Sequence, residues 1–137
     1  MAETLEVLIK VAERKVETVQ SALAKTREAI AACRERVKEL EQEAAVAFVT
    51  AVAEDDVLSL QAAGAFQERV RREIAELKQM EEVLLEQEAV QQKQLQELYA
   101  QQKTYELLWE KKLMERRKER MKKAQNALDE VAGRIKS

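Results

Sequence analysis

Histidine and proline are absent from this chain of 137 residues, glycine occurs only at Gly64 and Gly133, and Cys33 is the single cysteine. Each absence removes a class of chemistry. Without histidine there is no Cys/His zinc site and no imidazole acid–base catalysis. One cysteine forms no disulfide within the chain. Aromatic residues make up 4%, which leaves few bulky side chains from which to build a compact core. No stretch approaches the roughly 20 apolar residues that a membrane span needs. The apolar run Val7 to Val11 is short and broken by Lys10, so no signal sequence is expected. The expectation is a soluble, cytoplasmic protein.

What is present is a helix-forming alphabet. Charged residues reach 36%, against about a quarter in an ordinary domain. Ala, Glu, Lys, Leu, Arg and Gln dominate, and all are good helix formers. Such a composition suits a long, thin seam of small and aliphatic side chains between paired helices. The charge sums to −2 but is unevenly placed. Residues 1–60 hold 8 Lys/Arg against 12 Asp/Glu, residues 61–109 hold 6 against 9, and residues 110–137 hold 10 against 5. One end is basic on an acidic body, which bears on partners rather than on fold.

The first half carries an unbroken heptad pattern. Leu5, Ile9, Ala12, Val16, Val19, Leu23, Thr26, Ile30, Cys33, Val37, Leu40, Ala44 and Ala47 recur at alternating steps of four and three. That 3.5-residue period requires a partner helix. Cys33 falls in the seam, so it reads as a small buried residue rather than a reactive thiol. The second half is less regular. Val70, Ile74, Leu77, Leu84, Leu95, Leu98, Tyr105 and Trp109 share one frame, and the same frame puts Glu81, Glu88, Gln91 and Gln102 at core positions. Past Trp109 the apolar stripe changes frame, to Leu107, Met114, Met121, Leu128 and Ile135, with Ala124 and Val131 between. A helix that exchanges one neighbour for another would show such a shift.

The expected fold is all-α, a single domain over 1–137 with two long helices in an antiparallel coiled-coil hairpin. The first helix is expected over about 3–52, the hinge over about 53–56 and the second helix over about 57–135. Asp55 or Asp56 would cap the incoming helix. The rival hinge is Gly64, with Val46, Val49, Ala53, Val57 and Leu60 prolonging the first helix to reach it. With the hinge near 55, Leu5 sits near Tyr105 and roughly the last 40 Å of the second helix overhangs at 1.5 Å per residue. With the hinge at Gly64, most of that overhang disappears.

No enzyme is expected. Carboxylates are plentiful, but a helical hairpin offers no pocket to perturb them, and no phosphate loop, nucleophile elbow or metal cluster is present. No cofactor is expected either. The basic run Lys111, Lys112, Arg116, Arg117, Lys118, Arg120, Lys122 and Lys123 reads first as a solvated face paired with Glu115 and Glu119. Insertion into an acidic protein cavity uses both the charge and the stripe, and ranks next. Nucleic acid is disfavoured, because Tyr99, Tyr105 and Trp109 lie upstream of the basic run. An anionic membrane surface is disfavoured by the narrow apolar face.

Several stretches together carry a family resemblance: Leu5, Leu8, Val11–Ala12–Glu13–Arg14, Val16 and Glu17; Phe66, Gln67, Arg69 and Ile74; Leu98–Tyr99 and Trp109–Glu110–Lys111; and the closing Leu128–Asp129–Glu130–Val131–Ala132–Gly133–Arg134. The chain resembles the FliJ family of flagellar type III export proteins and, more distantly, the YscO-like proteins of injectisomes. The resemblance implies a non-enzymatic, stalk-like coiled coil that inserts into the hexameric export ATPase ring and promotes its assembly or turnover. It also implies contacts with the cytoplasmic domain of the export gate and with export chaperones, and a place at the inner membrane held only through those partners. The ATPase-binding end would comprise Trp109, Arg116, Arg117, Arg120, Leu128, Asp129, Glu130 and Arg134. The gate-binding face would comprise Leu40, Phe66 and Val70. The alternative is a structural coiled coil that self-associates by burying Leu107 to Ile135 against another copy.

Overall fold

The computed structural model describes the backbone of residues 2–136 and the side chains of 4–135; residues 1 and 137, the ends of the expected domain, lie outside it. Two helices account for the described chain. Helix α1 is Ala2–Glu54 and helix α2 is Val57–Lys136, and no strand occurs among the described residues. The chain divides into two compact units, one of Met1–Thr18 with Leu95–Ser137 and the other of Val19–Gln94.

The link between the helices uses aspartates where glycine is the common choice. Asp55 has φ 48°, the left-handed conformation that ends many helices. Its N–H donates to the Ala51 carbonyl at 3.2 Å, closing the last turn of α1. Asp and Asn are the non-glycine residues that enter this conformation most readily. Asp56 then opens α2. Its carbonyl accepts from the Leu60 N–H at 3.0 Å, and its carboxylate accepts from the Leu58 N–H at 3.3 Å, the N-cap arrangement. The Ser59 hydroxyl donates to Glu54 Oε2 at 2.6 Å, tying the two helix ends together. Gly64 lies inside α2, and an added Cβ there would meet no atom within 4 Å.

In the Val19–Gln94 unit the buried residues of α1 are Leu23, Thr26, Ile30, Cys33, Leu40 and Ala51. From α2 they are Ala63 and Val70, with Ile74, Leu77, Glu81, Leu84, Glu88 and Gln91 half-buried in the same three-and-four spacing. Burying each Leu or Ile contributes about 1.5–3 kcal/mol relative to leaving it exposed.

The polar members of the α2 seam meet polar groups on α1. Arg27 Nε donates to Glu88 Oε2 at 3.3 Å and Arg34 Nε to Glu81 Oε1 at 2.9 Å. The Thr26 hydroxyl lies 2.8 Å from Gln91 Oε1 and 3.0 Å from the Ala22 carbonyl; its one proton serves one acceptor at a time. Residue numbers on α2 fall as those on α1 rise, so in this unit the helices run in opposite directions. Each arginine pair is solvent-facing and contributes about 0–1 kcal/mol. Both pairs step by seven residues on each helix, so they fix register more than they add strength.

In the other unit, Leu5, Ala12 and Val16 of α1 are buried. The α2 residues Leu95, Leu98, Gln102, Tyr105, Trp109 and Lys112 are half-buried at the same three-and-four spacing. That row stops at Lys112. Every described side chain from Leu113 to Ile135 is exposed.

Candidate functional site

The exposed stretch of α2 begins where its pairing row turns charged. Continued past Lys112 at the same spacing, the row would take Arg116, Glu119 and Lys123. The apolar residues have meanwhile moved to the other frame. Leu107 is 53% exposed while Trp109 is half-buried, and two residues are about 200° apart around a helix. Met114, Met121, Leu128 and Ile135 follow Leu107, each between 58% and 80% exposed. The stripe faces solvent along its length, interleaved with eight lysines and arginines between Lys111 and Lys123.

Of the residues expected at the ATPase-binding end, Trp109 stands apart. It sits in the paired row, one step before its last member Lys112, beside a cleft lined by Glu6, Ile9, Lys10 and Glu13 of α1 and by Glu106 and Glu110 of α2. Arg116, Arg117, Arg120, Leu128, Asp129, Glu130 and Arg134 all lie in the exposed stretch. Asp129 Oδ1 accepts from Gln125 Nε2 at 3.2 Å, a contact along the helix that also satisfies that turn. The stretch is thus one continuous helical surface, cationic in its first half and mixed in its second.

The residues expected on a gate-binding face divide differently. Leu40 and Val70 are 2% and 5% exposed. They hold the two helices together and present no surface to a partner. Phe66 is half-buried, with the Arg69 guanidinium 5.9 Å from its ring centroid. It borders a groove of about 500 Å³ with Val46, Ala47, Glu39 and Glu43. Arg36 spans this region, reaching Glu39 at 3.3 Å, Glu43 at 3.7 Å and Glu73 at 3.6 Å. Its guanidinium is held above its usual pKa, first by the hydrogen bond to Glu39 and then by the Glu73 and Glu43 charges.

A hinge at Gly64 would need Val46, Val49, Ala53, Val57 and Leu60 to prolong the first helix. Helix α1 ends at Glu54 instead, and the four larger residues of that set are open to solvent. They are 65%, 66%, 68% and 43% exposed, and Phe48, Val52 and Leu58 join them at 51%, 52% and 73%. The signal that separates them from core is frame: Val46 and Val49 each stand two residues past Ala44 and Ala47, about 200° around the helix from the row that runs on to Ala51. Among the described residues, no group of three or more His, Cys, Asp or Glu could hold a metal ion. Among them, too, no helix is long and apolar enough to cross a membrane.

A protein-family model described as "Flagellar FliJ protein" matches residues 1–136. Comparison with curated proteins and with solved structures finds no match.

Proposed function

The chain belongs to the FliJ family and is a flagellar export-related protein; from that premise we propose that it is a non-enzymatic stalk of the type III export ATPase. Its two helices act as one antiparallel coiled-coil hairpin, a reading supported by the descending order of the Arg27–Glu88 and Arg34–Glu81 pairs. The exposed end of α2 inserts into the ATPase ring and promotes its assembly or turnover. The protein also links the ring to the cytoplasmic domain of the export gate and to export chaperones. It resides in the cytoplasm, held at the inner-membrane export apparatus by these partners.

The observation that carries this reading is the stretch from Leu113 to Ile135, helical throughout and nowhere even half-buried. Leaving Met121 or Ile135 in water forgoes roughly 1.5–3 kcal/mol of burial for each. A ring whose lumen is apolar and acidic would recover that energy and match the charge. Arg116, Arg117 and Arg120 meet the acidic wall in this reading, and Leu128 fills an apolar site. Asp129, Glu130 and Arg134 set the orientation of the tip, and Trp109 marks the depth of insertion. In the Val19–Gln94 unit, Phe66 is the member of the gate-binding set that borders open surface, while Leu40 and Val70 are buried.

The test adds the full chain, or a chain ending at Lys112, to the cognate export ATPase and measures ATP hydrolysis. The full chain raises turnover and the shortened one does not. Equal stimulation by both would move the contact into the paired region, and stimulation by neither would remove the stalk reading.

A further inference from the structure

Two regions of the described chain carry opposite charge on exposed apolar surface. From Ala44 to Gln67 there is no lysine or arginine, and the charged residues are Glu54, Asp55 and Asp56. Around them Phe48, Val49, Val52 and Leu58 are all more than half exposed. With Val46, Val57 and Leu60 they make seven exposed apolar residues flanking the link, a surface of the kind that marks an interaction site. The acidic charge at its centre selects for a cationic partner. The tail of α2 has that chemistry, with eight Lys/Arg and two Glu between Lys111 and Lys123 and an exposed stripe through Met114 and Met121.

We propose that the acidic apolar link region of one copy docks the basic α2 tail of a second copy, giving head-to-tail self-association. Like ends repel. Two tails each bring a cluster of positive charge, and two link regions each bring three carboxylates and no cation. Only the unlike pairing buries both apolar surfaces while bringing opposite charges together. The contact is heterologous, since each copy offers one tail and one link region, so it propagates rather than closing as a symmetric dimer. The self-association goes beyond the stalk function and does not rest on it; only its consequence for the ring does. Both contacts use the same tail, so the ATPase ring and a second copy exclude each other, and self-association holds the tail covered until a ring takes it.

The test is light scattering on the full chain over a concentration series, at about 0.05 M and about 0.5 M salt, which shortens the screening length several-fold. The weight-average mass rises past two copies at low salt and returns to one copy at high salt. Two variants then alter one surface each: V49K/V52K removes two apolar side chains from the link and lowers its charge from −3 to −1, and R116E/R117E/R120E takes the tail between Lys111 and Lys123 from +6 to zero. Each alone remains a single copy, with helical content by circular dichroism unchanged. Mixed in equal amounts they pair one to one, because the unaltered tail of the first docks the unaltered link region of the second and each altered surface ends the growth. Four results would overturn the proposal: an unmodified chain that stays at one copy at every concentration, an unmodified chain whose growth stops at two copies, variants that associate alone as the unmodified chain does, or a mixture of the two that stays at one copy.

Discussion

Helix α2 contains two amphipathic stretches that look alike in composition and differ in circumstance. Up to Lys112 it presents a face that α1 covers, although glutamate and glutamine occupy much of that face. Beyond Lys112 it presents Met114, Met121, Leu128 and Ile135, and all of them face solvent. The more apolar stripe is thus the exposed one. A heptad stripe reports that a helix needs a neighbour; whether the neighbour lies in the same chain depends on how far α1 reaches. The covered stretch carries stability, and the exposed stretch is left for binding.

That contrast breaks most visibly in a pair of truncating substitutions. Leu23→Ala or Ile30→Ala, each at a buried α1 position, lowers stability by about 2–4 kcal/mol in urea unfolding. Met121→Ala, at a residue 73% exposed, changes it by less than about 0.5 kcal/mol. Comparable losses at both sites would mean that the tail is covered in solution.

The polar part of the seam sharpens the comparison from the other side. Replacing both partners of the Thr26–Gln91 contact together, as T26V/Q91L, raises stability by up to about 1 kcal/mol, since two polar groups give way to apolar contact. A loss instead would show that the polar pair specifies the packing. At the link, Asp56→Ala removes the cap of α2 and costs about 1 kcal/mol. Asp55→Gly gains about 1 kcal/mol by relieving the left-handed backbone. Thermal unfolding of the two single variants gives both signs in one experiment. The smallest effect belongs to Arg34→Ala, which loses an exposed ion pair and about 0.5 kcal/mol, less in high salt.

Much of this architecture is legible in the residues. The α1 row from Leu5 to Ala47 keeps its spacing without a break, because every member faces the same partner; Leu5, Ala12, Val16, Leu23, Thr26, Ile30, Cys33 and Leu40 are all buried. The α2 row is harder to read, because Glu81, Glu88 and Gln91 sit at seam positions. Their presence makes sense only beside Arg34, Arg27 and Thr26, and a single sequence does not give that pairing. The link is hard to read for a related reason. Asp55 adopts the left-handed conformation that Gly64 could take more cheaply, and the caps around Asp55 and Asp56 override the local preference. The candidate tail was visible as a shift of frame past Trp109. The exposed apolar surface at Phe48, Val49, Val52 and Leu58 is harder to see, because aliphatic residues beside a seam resemble more seam and only their frame against Ala44, Ala47 and Ala51 sets them apart.

The central claim is that Leu113 to Ile135 is the working end, covered only by a partner. Hydrogen exchange of its backbone amides, in the full chain alone and with the hexameric export ATPase, tests that claim most directly. Alone and dilute, these amides exchange far faster than those between Val70 and Lys112, because no packed neighbour raises the cost of opening. With the ring, exchange in the tail slows by at least an order of magnitude while the paired stretch barely changes. Unchanged tail exchange in the presence of the ring, with slowing confined to the paired helices, would contradict the account.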